Sequence, residues 1–371
     1  MIMWYQLKHP EKVISPSLLF YKDRIQSNIS SMVNMAGHAD RLVPHVKTHK
    51  TKELIGFQLE KNITRFKCAT IAEAEMVASA GGKWILLAYQ MVGPNIGRLF
   101  QLKNLYPDVS FSSLIDNQFS ADDLNAHSLA ENIISSVFID VNNGMNRSGH
   151  ATDTDLLSLY RHINTLPNLK LTGIHIYDGH IRNAGFAERK VVSELAYETV
   201  YPLLDLAKQD GGDDIMIIVG GSPTFNVHAQ REGVYLSPGT NVLWDWGYGD
   251  RFQDQPFLQA ALVITRVISK PTTGIVTIDL GHKAVSAENP IENRFKILNL
   301  AEYTLASQSE EHGVLQVSEE VWNKVQIGDV FYAVPYHVCP TVALHDYASV
   351  IEDGEVTEEW KIVARNRRIT V

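Results

Sequence analysis

The residues in this chain that can do chemistry stand at the ends of short apolar runs. Lys47 closes LVPHVK (42–47), and the polar THKTKEL follows at once. A lysine partly withdrawn from water at such a position has a lowered pKa, and its free amine is a nucleophile toward aldehydes. Taken alone, Lys47 reads more plainly as a surface lysine at a strand end. Lys50 is a rival amine, but it lies beyond the apolar run, where solvent keeps it protonated. The turns VGGSPTF (219–225) and SPGT (237–240) supply Gly220, Gly221, Ser222 and Thr224, then Gly239 and Thr240. Glycine with serine or threonine in a tight turn lets backbone amides and hydroxyls converge on an anion, although most such turns only reverse the chain.

Two further groups carry chemical potential. In YHVCPTVALHD (336–346), His337 and Cys339 lie two apart. On a strand that spacing points both to one side. Imidazole and thiolate are preferred zinc ligands, and two of them leave the shell to be completed by substrate or water. The structural alternative is a buried cysteine beside a strand histidine with no metal at all. His345 and Asp346 stand nearby in supporting positions. In FIDVNNGMNRSG (138–149), Arg147 reads equally as a group facing a cofactor ring or substrate carboxylate and as a surface arginine in a Gly/Asn-rich loop.

These residues need a scaffold, and the chain is patterned for one. Eight β-rich runs, LVPHVK, RFKCAT, KWILLAY, VSFSSLID, SVFIDV, LTGIHIYDG, DIMIIVGG and GVYLSPG, alternate with helix-like stretches such as TIAEAEMVASAG (70–81) and 185–209. Apolar residues in those stretches recur at three- and four-residue spacing, and Thr70 with Glu73 forms a capping box. The alternation predicts an α/β fold, a (β/α)8 barrel with an open doubly wound sheet as the alternative. In such a barrel the chemistry sits at the C-terminal ends of the strands, and the loops after strands seven and eight are the frequent phosphate site. Lys47 then ends the first strand, and YDGH (Tyr177, Asp178, His180) ends the sixth. A lysine facing a phosphate cradle across a barrel mouth suggests pyridoxal 5′-phosphate (PLP) held as a Schiff base.

From residue 253 onward the runs become β segments separated by turns: PFLQAALVITRVISKP, GIVTIDLG, RFKILNLA, EYTLAS, HGVLQV, DVFYAVP, YASVIEDG and WKIVARN. A mostly antiparallel β domain is expected there. The expected partition is a PLP-binding barrel over 15–252 and a β domain with the metal pair over 253–371, with 1–14 packing alongside. SPSLLFY (15–21) suits either domain. Bulk properties exclude several classes. A formal charge of −9 with no basic stripe speaks against nucleic-acid and anionic-membrane partners. The longest greasy stretch, 258–268, is too short for a bilayer and contains Arg266. MIMWYQLKHPEK has no signal-peptide pattern, and the only cysteines, Cys68 and Cys339, suit a reduced cytoplasm.

In order along the chain, PHVKTHK, CATIAEAEMVASAG, ILLAYQMVG, IDVNNGMNRSG, IHIYDGH, GGSPTF, LSPGT and HVCPTVALHD resemble the D-serine dehydratase/D-threonine aldolase family. These are fold-type III PLP enzymes related to the alanine racemase barrel. The resemblance implies that Lys47 is the Schiff-base lysine, Arg147 lies near the cofactor's phenolic oxygen and Tyr177 lies near its pyridine ring. It implies that Gly221, Ser222, Gly239 and Thr240 bind phosphate and that His337 and Cys339 are the metal pair. It further implies a homodimer with active sites between barrel and β domain. Valine at 338 gives the His-x-Cys of the zinc-dependent dehydratases, where many D-threonine aldolases show His-Cys-Asp; thiolate ligation favours zinc over harder divalent metals.

The expected activity is therefore PLP- and zinc-dependent dehydration of a D-3-hydroxy amino acid to a 2-oxo acid and ammonia. D-serine, D-threonine and D-threo-3-hydroxyaspartate are the candidate substrates. The alternative is aldol cleavage to glycine and an aldehyde, with His345, His180 and His49 as candidate bases. A racemase leaves the metal pair unexplained, and a non-catalytic PLP carrier leaves the β domain unexplained.

Overall fold

The computed structural model describes residues 3–211 and 215–371. Residues 1–2 of the N-terminal stretch and 212–214, where the seventh β run begins, lie outside the described residues. By contacts the chain forms two units.

One unit comprises residues 32–47, 52–239 and 366–371. Its parallel sheet runs Arg65–Cys68, Trp84–Gln90, Ser110–Ile115, Ser135–Asn142, Leu169–Ile176, Met216–Val219 and Tyr235–Leu236, in that order, with His150–Ala151 as a side strand on Ser135–Asn142. The ring is closed by Leu42–His45. Leu42 bridges Leu236 and His45 bridges Lys67. Val43 N donates to Leu236 O at 2.8 Å, His45 N to Pro238 O at 2.7 Å, and Lys67 N to Pro44 O at 2.9 Å. LVPHVK, expected as a full strand, is thus reduced to bridges and a 3-10 turn over Val46–Thr48. Pro44 has no N–H to give to a ladder, which explains the shortening.

Sequence chemistry sets the helices between these strands. Thr70 caps Ile71–Ser79, its hydroxyl accepting from Glu73 N at 3.1 Å, while Glu73 Oε2 accepts from Ala69 N at 2.6 Å. That is the reciprocal capping box. The stretch 185–209 is two helices, Phe186–Glu198 and Tyr201–Gln209. Pro202 forces the break, since its ring cannot continue a helix but suits a first turn. Inside the ring, Val43, Leu86, Leu114, Phe138 and Ile218 form an apolar floor.

The other unit comprises residues 1–31, 48–51 and 240–365. Its mostly antiparallel sheet is ordered Thr304–Gln308, Gly313–Gln316, Ile275–Ile278, Ala261–Thr272, Ser17–Tyr21, Tyr347–Glu352 and Glu355–Lys361, with Val330–Pro335 pairing Ala261–Thr272 and Phe295–Ile297. SPSLLFY therefore supplies a strand of this sheet. Ser17–Tyr21 lies antiparallel to Ala261–Thr272 and parallel to Tyr347–Glu352. This division departs from a linear split at 252/253, because sheet pairing gathers the N-terminal strand with the late ones. HVCPTVAL is not a strand: Val338–Leu344 is a helix with His337 at its N-cap position. Among the described residues, no helix is long and apolar enough to cross a membrane.

The barrel floor yields a stability prediction. A Cβ on Gly173 would collide with the Phe138 ring and with the backbone oxygen of Met216. Overpacking of this kind costs about 1–3 kcal/mol. Gly173→Ala should lower the unfolding free energy by that amount, seen as a lower urea midpoint at an unchanged slope; an unshifted midpoint would mean that the strands slide apart freely there.

Candidate active site

Val43 of the closing segment belongs to the barrel floor, and Lys47 follows in the 3-10 turn Val46–Thr48. The half-buried Tyr177 ring follows strand Leu169–Ile176 at the C-terminal end of the ring of strands. Three cations surround it. Lys47 Nζ lies 6.0 Å from the ring centroid, Lys67 Nζ 5.5 Å and the Arg147 guanidinium carbon 4.8 Å. Lys47, Arg147 and Tyr177, singled out from sequence, are therefore gathered at one place. Lys67 was not anticipated, although a lysine between Phe66 and Cys68 in an otherwise apolar run was a readable signal.

Beneath this face lies a buried polar chain. Lys67 Nζ lies 3.3 Å from His175 Nε2, and His175 Nδ1 lies 2.7 Å from Asp140 Oδ1. Asp140 Oδ2 accepts from Gln90 Nε2 at 3.0 Å and from Ser148 Oγ at 3.1 Å. Burial pushes the Asp140 carboxyl up, but His175, Ser148 and Gln90 outweigh it and hold it below the usual range. Burial and Lys67 lower the His175 imidazole against the pull of Asp140. Burial, then the neighbouring Lys47, brings the Lys67 ammonium down to about 7.

The turn after Met216–Val219 is held by a second buried set. Asp178 Oδ2 lies 2.8 Å from His228 Nε2 and accepts from Ser193 Oγ at 3.3 Å, while Thr224 Oγ1 donates to Asp178 Oδ1 at 2.7 Å. Asp178 is thus a fastener for the turn. Gly220 has φ +71°, and a side chain on Gly221 would strike the Tyr177 ring. Gly221 must stay bare for backbone to approach the ring, whereas a side chain on Gly220 would meet His228 and Thr224. Gly239 N donates to Ser222 Oγ at 3.1 Å, linking the two glycine turns. Ser237 Oγ is buried and has no hydrogen-bond partner among the described residues. Thr240 groups with the β unit, where its hydroxyl lies 3.6 Å from Cys339 Sγ.

In the β unit, the helix start brings His337 and Cys339 together despite the missing strand. Burial lowers the His337 imidazole, but its hydrogen bond to Cys339, with Asp245 and Glu288, pushes it up to about 9. His337 Nδ1 lies 2.6 Å from Glu288 Oε1, and Thr48 Oγ1 lies 3.3 Å from Cys339 Sγ. Asp245 Oδ2 accepts from Val338 N at 3.1 Å, and burial raises its carboxyl to about 6. Among the described residues, no group of three or more His, Cys, Asp or Glu side chains forms a metal-holding cluster. His345 Nε2 lies 2.8 Å from Ala284 O, His180 is exposed, and burial takes the His49 imidazole down to about 3.

The fastener titrates in a defined sense. Burial raises the Asp178 carboxyl, but His228 and Thr224 outweigh it and hold it below 3.8. A carboxylate depressed in the folded state contributes stability above its unfolded value and loses it as pH falls through the folded one. Asp178→Asn should cost about 3–5 kcal/mol at pH 7 and flatten the acid limb of the unfolding curve. An unaltered acid limb would remove Asp178 from the balance.

Comparison with known proteins follows this geometry. The alanine racemase N-terminal domain model matches residues 21–240, and the model described as "Putative serine dehydratase domain" matches 260–351. The chain is 29% identical to the D-threonine aldolase of Arthrobacter sp over 95% of this chain and 93% of that protein. It is 23% identical to the D-threo-3-hydroxyaspartate dehydratase of Delftia sp. (strain HT23), over 94% and 96%. The structure of that dehydratase superposes with a TM-score of 0.84, and a cysteine-to-alanine variant of a D-threo-3-hydroxyaspartate dehydratase, solved in a metal-free form, superposes with a TM-score of 0.83. The D-threonine aldolase of Filomicrobium marinum superposes with a TM-score of 0.86 at 25% identity, over 95% of this chain and 96% of that one. With the closed parallel ring, the glycine turns and a family match across the barrel, the chain belongs to the alanine racemase N-terminal domain family of fold-type III PLP enzymes, here joined to a serine dehydratase-type domain.

Proposed function

We propose that this chain is a PLP-dependent lyase acting on D-3-hydroxy amino acids, with elimination of the β-hydroxyl as its reaction. The barrel mouth suits the cofactor. Two amines and a guanidinium surround one aromatic face, the bare Gly221 lets backbone approach it, and Ser237 Oγ is a buried acceptor or donor without a partner among the described residues. Lys47 is the residue to bind it covalently, Arg147 and Tyr177 to orient its ring, and Gly221, Ser222, Gly239 and Thr240 to hold its phosphate. Bound, PLP supplies an electron sink for negative charge at the substrate's α-carbon.

The chain's own residues do the remaining work. Lys47 Nζ, as a free amine, takes the α-proton. Arg147 contributes positive charge beside the Tyr177 ring. Asp178 keeps the glycine turn in place through Thr224 and His228.

The observation that carries elimination is the His337–Cys339 pair. The Cys339 sulfur is hydrogen-bonded to the His337 imidazole, which is pushed up to about 9, and sulfur with imidazole is a donor pair that suits a thiophilic metal. The Glu288 carboxylate on His337 Nδ1 is the outer-shell partner that leaves Nε2 as the donor. Zinc suits this donor set better than magnesium or manganese, and there it would polarise a hydroxyl as a Lewis acid. Aldol cleavage is the second reading. The 29% identity to an aldolase favours it, whereas cysteine at position 339, where the His-Cys-Asp pattern has aspartate, speaks for elimination.

Two variants test the assignment. Lys47→Ala should abolish turnover, and retained steady-state activity would sink it. Cys339→Ala should lose bound zinc and turnover while keeping the visible absorbance of PLP; loss of both metal and cofactor would make Cys339 a structural residue.

A further inference from the structure

Lys67 has no part in the reaction outlined above, yet its placement carries a cost that packing alone does not explain. Its side chain is only 2% exposed. Burying an ammonium is unfavourable unless it is paired, and the hydrogen-bond partner of Lys67 is a histidine, not a carboxylate. The tautomer of that histidine is dictated from behind. Asp140 lies 2.7 Å from His175 Nδ1 and is itself pinned by Gln90 and Ser148. The Nδ1–H therefore points at the carboxylate, Nε2 carries the lone pair, and Lys67 must donate. A structural lysine would sit on the anion directly. Here the anion is spent on orienting an acceptor, and the amine is held beside Lys47 and Arg147 at the Tyr177 face.

We propose that Lys67 is a second functional amine of the barrel mouth, storing and releasing one proton at the Tyr177 face while the Asp140–His175 pair holds its Nζ in place. The inference rests on the proposed function in taking that face as the place of reaction. The step is a proton transfer alone. Lys67 Nζ gives one proton to a basic atom of the molecule bound there, keeps a second N–H on His175 Nε2, and regains the lost proton from that molecule or from solvent. Lys47 as the acceptor of the proposed function and Lys67 as the donor then bring base and acid to one face.

The charged and titratable groups facing Lys67 are Lys47 from the closing segment, Asp140 from Ser135–Asn142, Arg147 from the following loop, and His175 and Asp178 from Leu169–Ile176 and its end. Lys47 and Arg147 disfavour the ammonium, and the two carboxylates favour it. A folded value below the usual lysine range follows, with the burial of Lys67 as the largest cause.

The test is a pH titration of the full chain, stripped of bound ligand and labelled with ¹³C at lysine Cε, followed by NMR. One lysine resonance, absent in Lys67→Gln and Lys67→Arg, should titrate at about 7. Asp140→Asn should move that midpoint down, and Lys47→Ala should move it up. A Lys67 signal titrating in the ordinary lysine range, or unmoved by both substitutions, overturns the proposal. In the cofactor-loaded enzyme Lys67→Gln should lower kcat by about 10²-fold with little change in KM, and Lys67→Arg, which keeps the charge but cannot release a proton, should not restore it. Native kcat in either variant also overturns it. Because the titration needs neither PLP nor substrate, a near-neutral Lys67 in a chain that turns over no D-3-hydroxy amino acid would remove the lyase assignment and leave the amine standing.

Discussion

The segment Leu42–His45 closes the ring of parallel strands, and the rest of the barrel mouth depends on that closure. Three backbone hydrogen bonds tie it to Leu236, Pro238 and Lys67, the last through Pro44 O. A parallel ring has no edge once closed, so every strand end opens on the same mouth. Closing it with a proline-containing segment keeps the bridge short, and the chain leaves it in a 3-10 turn that contains Lys47. Lys47 is therefore placed by ring closure, not by a flexible loop, and its neighbours across the ring are fixed by register.

The interior shows why such a ring serves chemistry. Its floor is apolar, as packing demands, with Val43, Leu86, Leu114, Phe138 and Ile218 in contact. On strands of the same ring lie Lys67, Asp140 and His175, all buried. Buried polar groups are tolerable only when satisfied, and these satisfy one another in a chain ending on Gln90 and Ser148. Fully connected networks of this kind hold each member in one geometry. The Asp178, Thr224, Ser193 and His228 set fastens the glycine turn, with His228 Nδ1 left without a partner among the described residues. The β unit repeats the principle at a helix start, where Asp245 receives Val338 N and Glu288 orients His337.

Much of this was legible in the residues, and the failures have physical causes. All eight β runs of the barrel recur in the ring, because strand–helix alternation is a long-range pattern that local errors do not erase. LVPHVK shrank to bridges because Pro44 withholds a donor, and 185–209 split because Pro202 cannot continue a helix. Both prolines were visible, but their consequences depend on position within the element. Ser17–Tyr21 could not be placed by pattern, since an apolar strand fits any sheet and pairing is a tertiary fact. His337 and Cys339 meet at a helix start instead of along a strand. The i, i+2 spacing foretold their meeting, not the element that produces it. Lys67, Asp140 and His175 escaped notice because single polar residues in apolar strands look like outward-facing positions until register shows that they face one another.

The most direct measurement is product analysis after mixing the purified protein, PLP and zinc with D-serine, D-threonine and D-threo-3-hydroxyaspartate in turn. A 2-oxo acid and ammonia in equal amounts from at least one of them is the predicted result. Glycine with an aldehyde would contradict elimination and show that a His-x-Cys pair does not dictate it, and no product from any of the three would contradict the lyase itself.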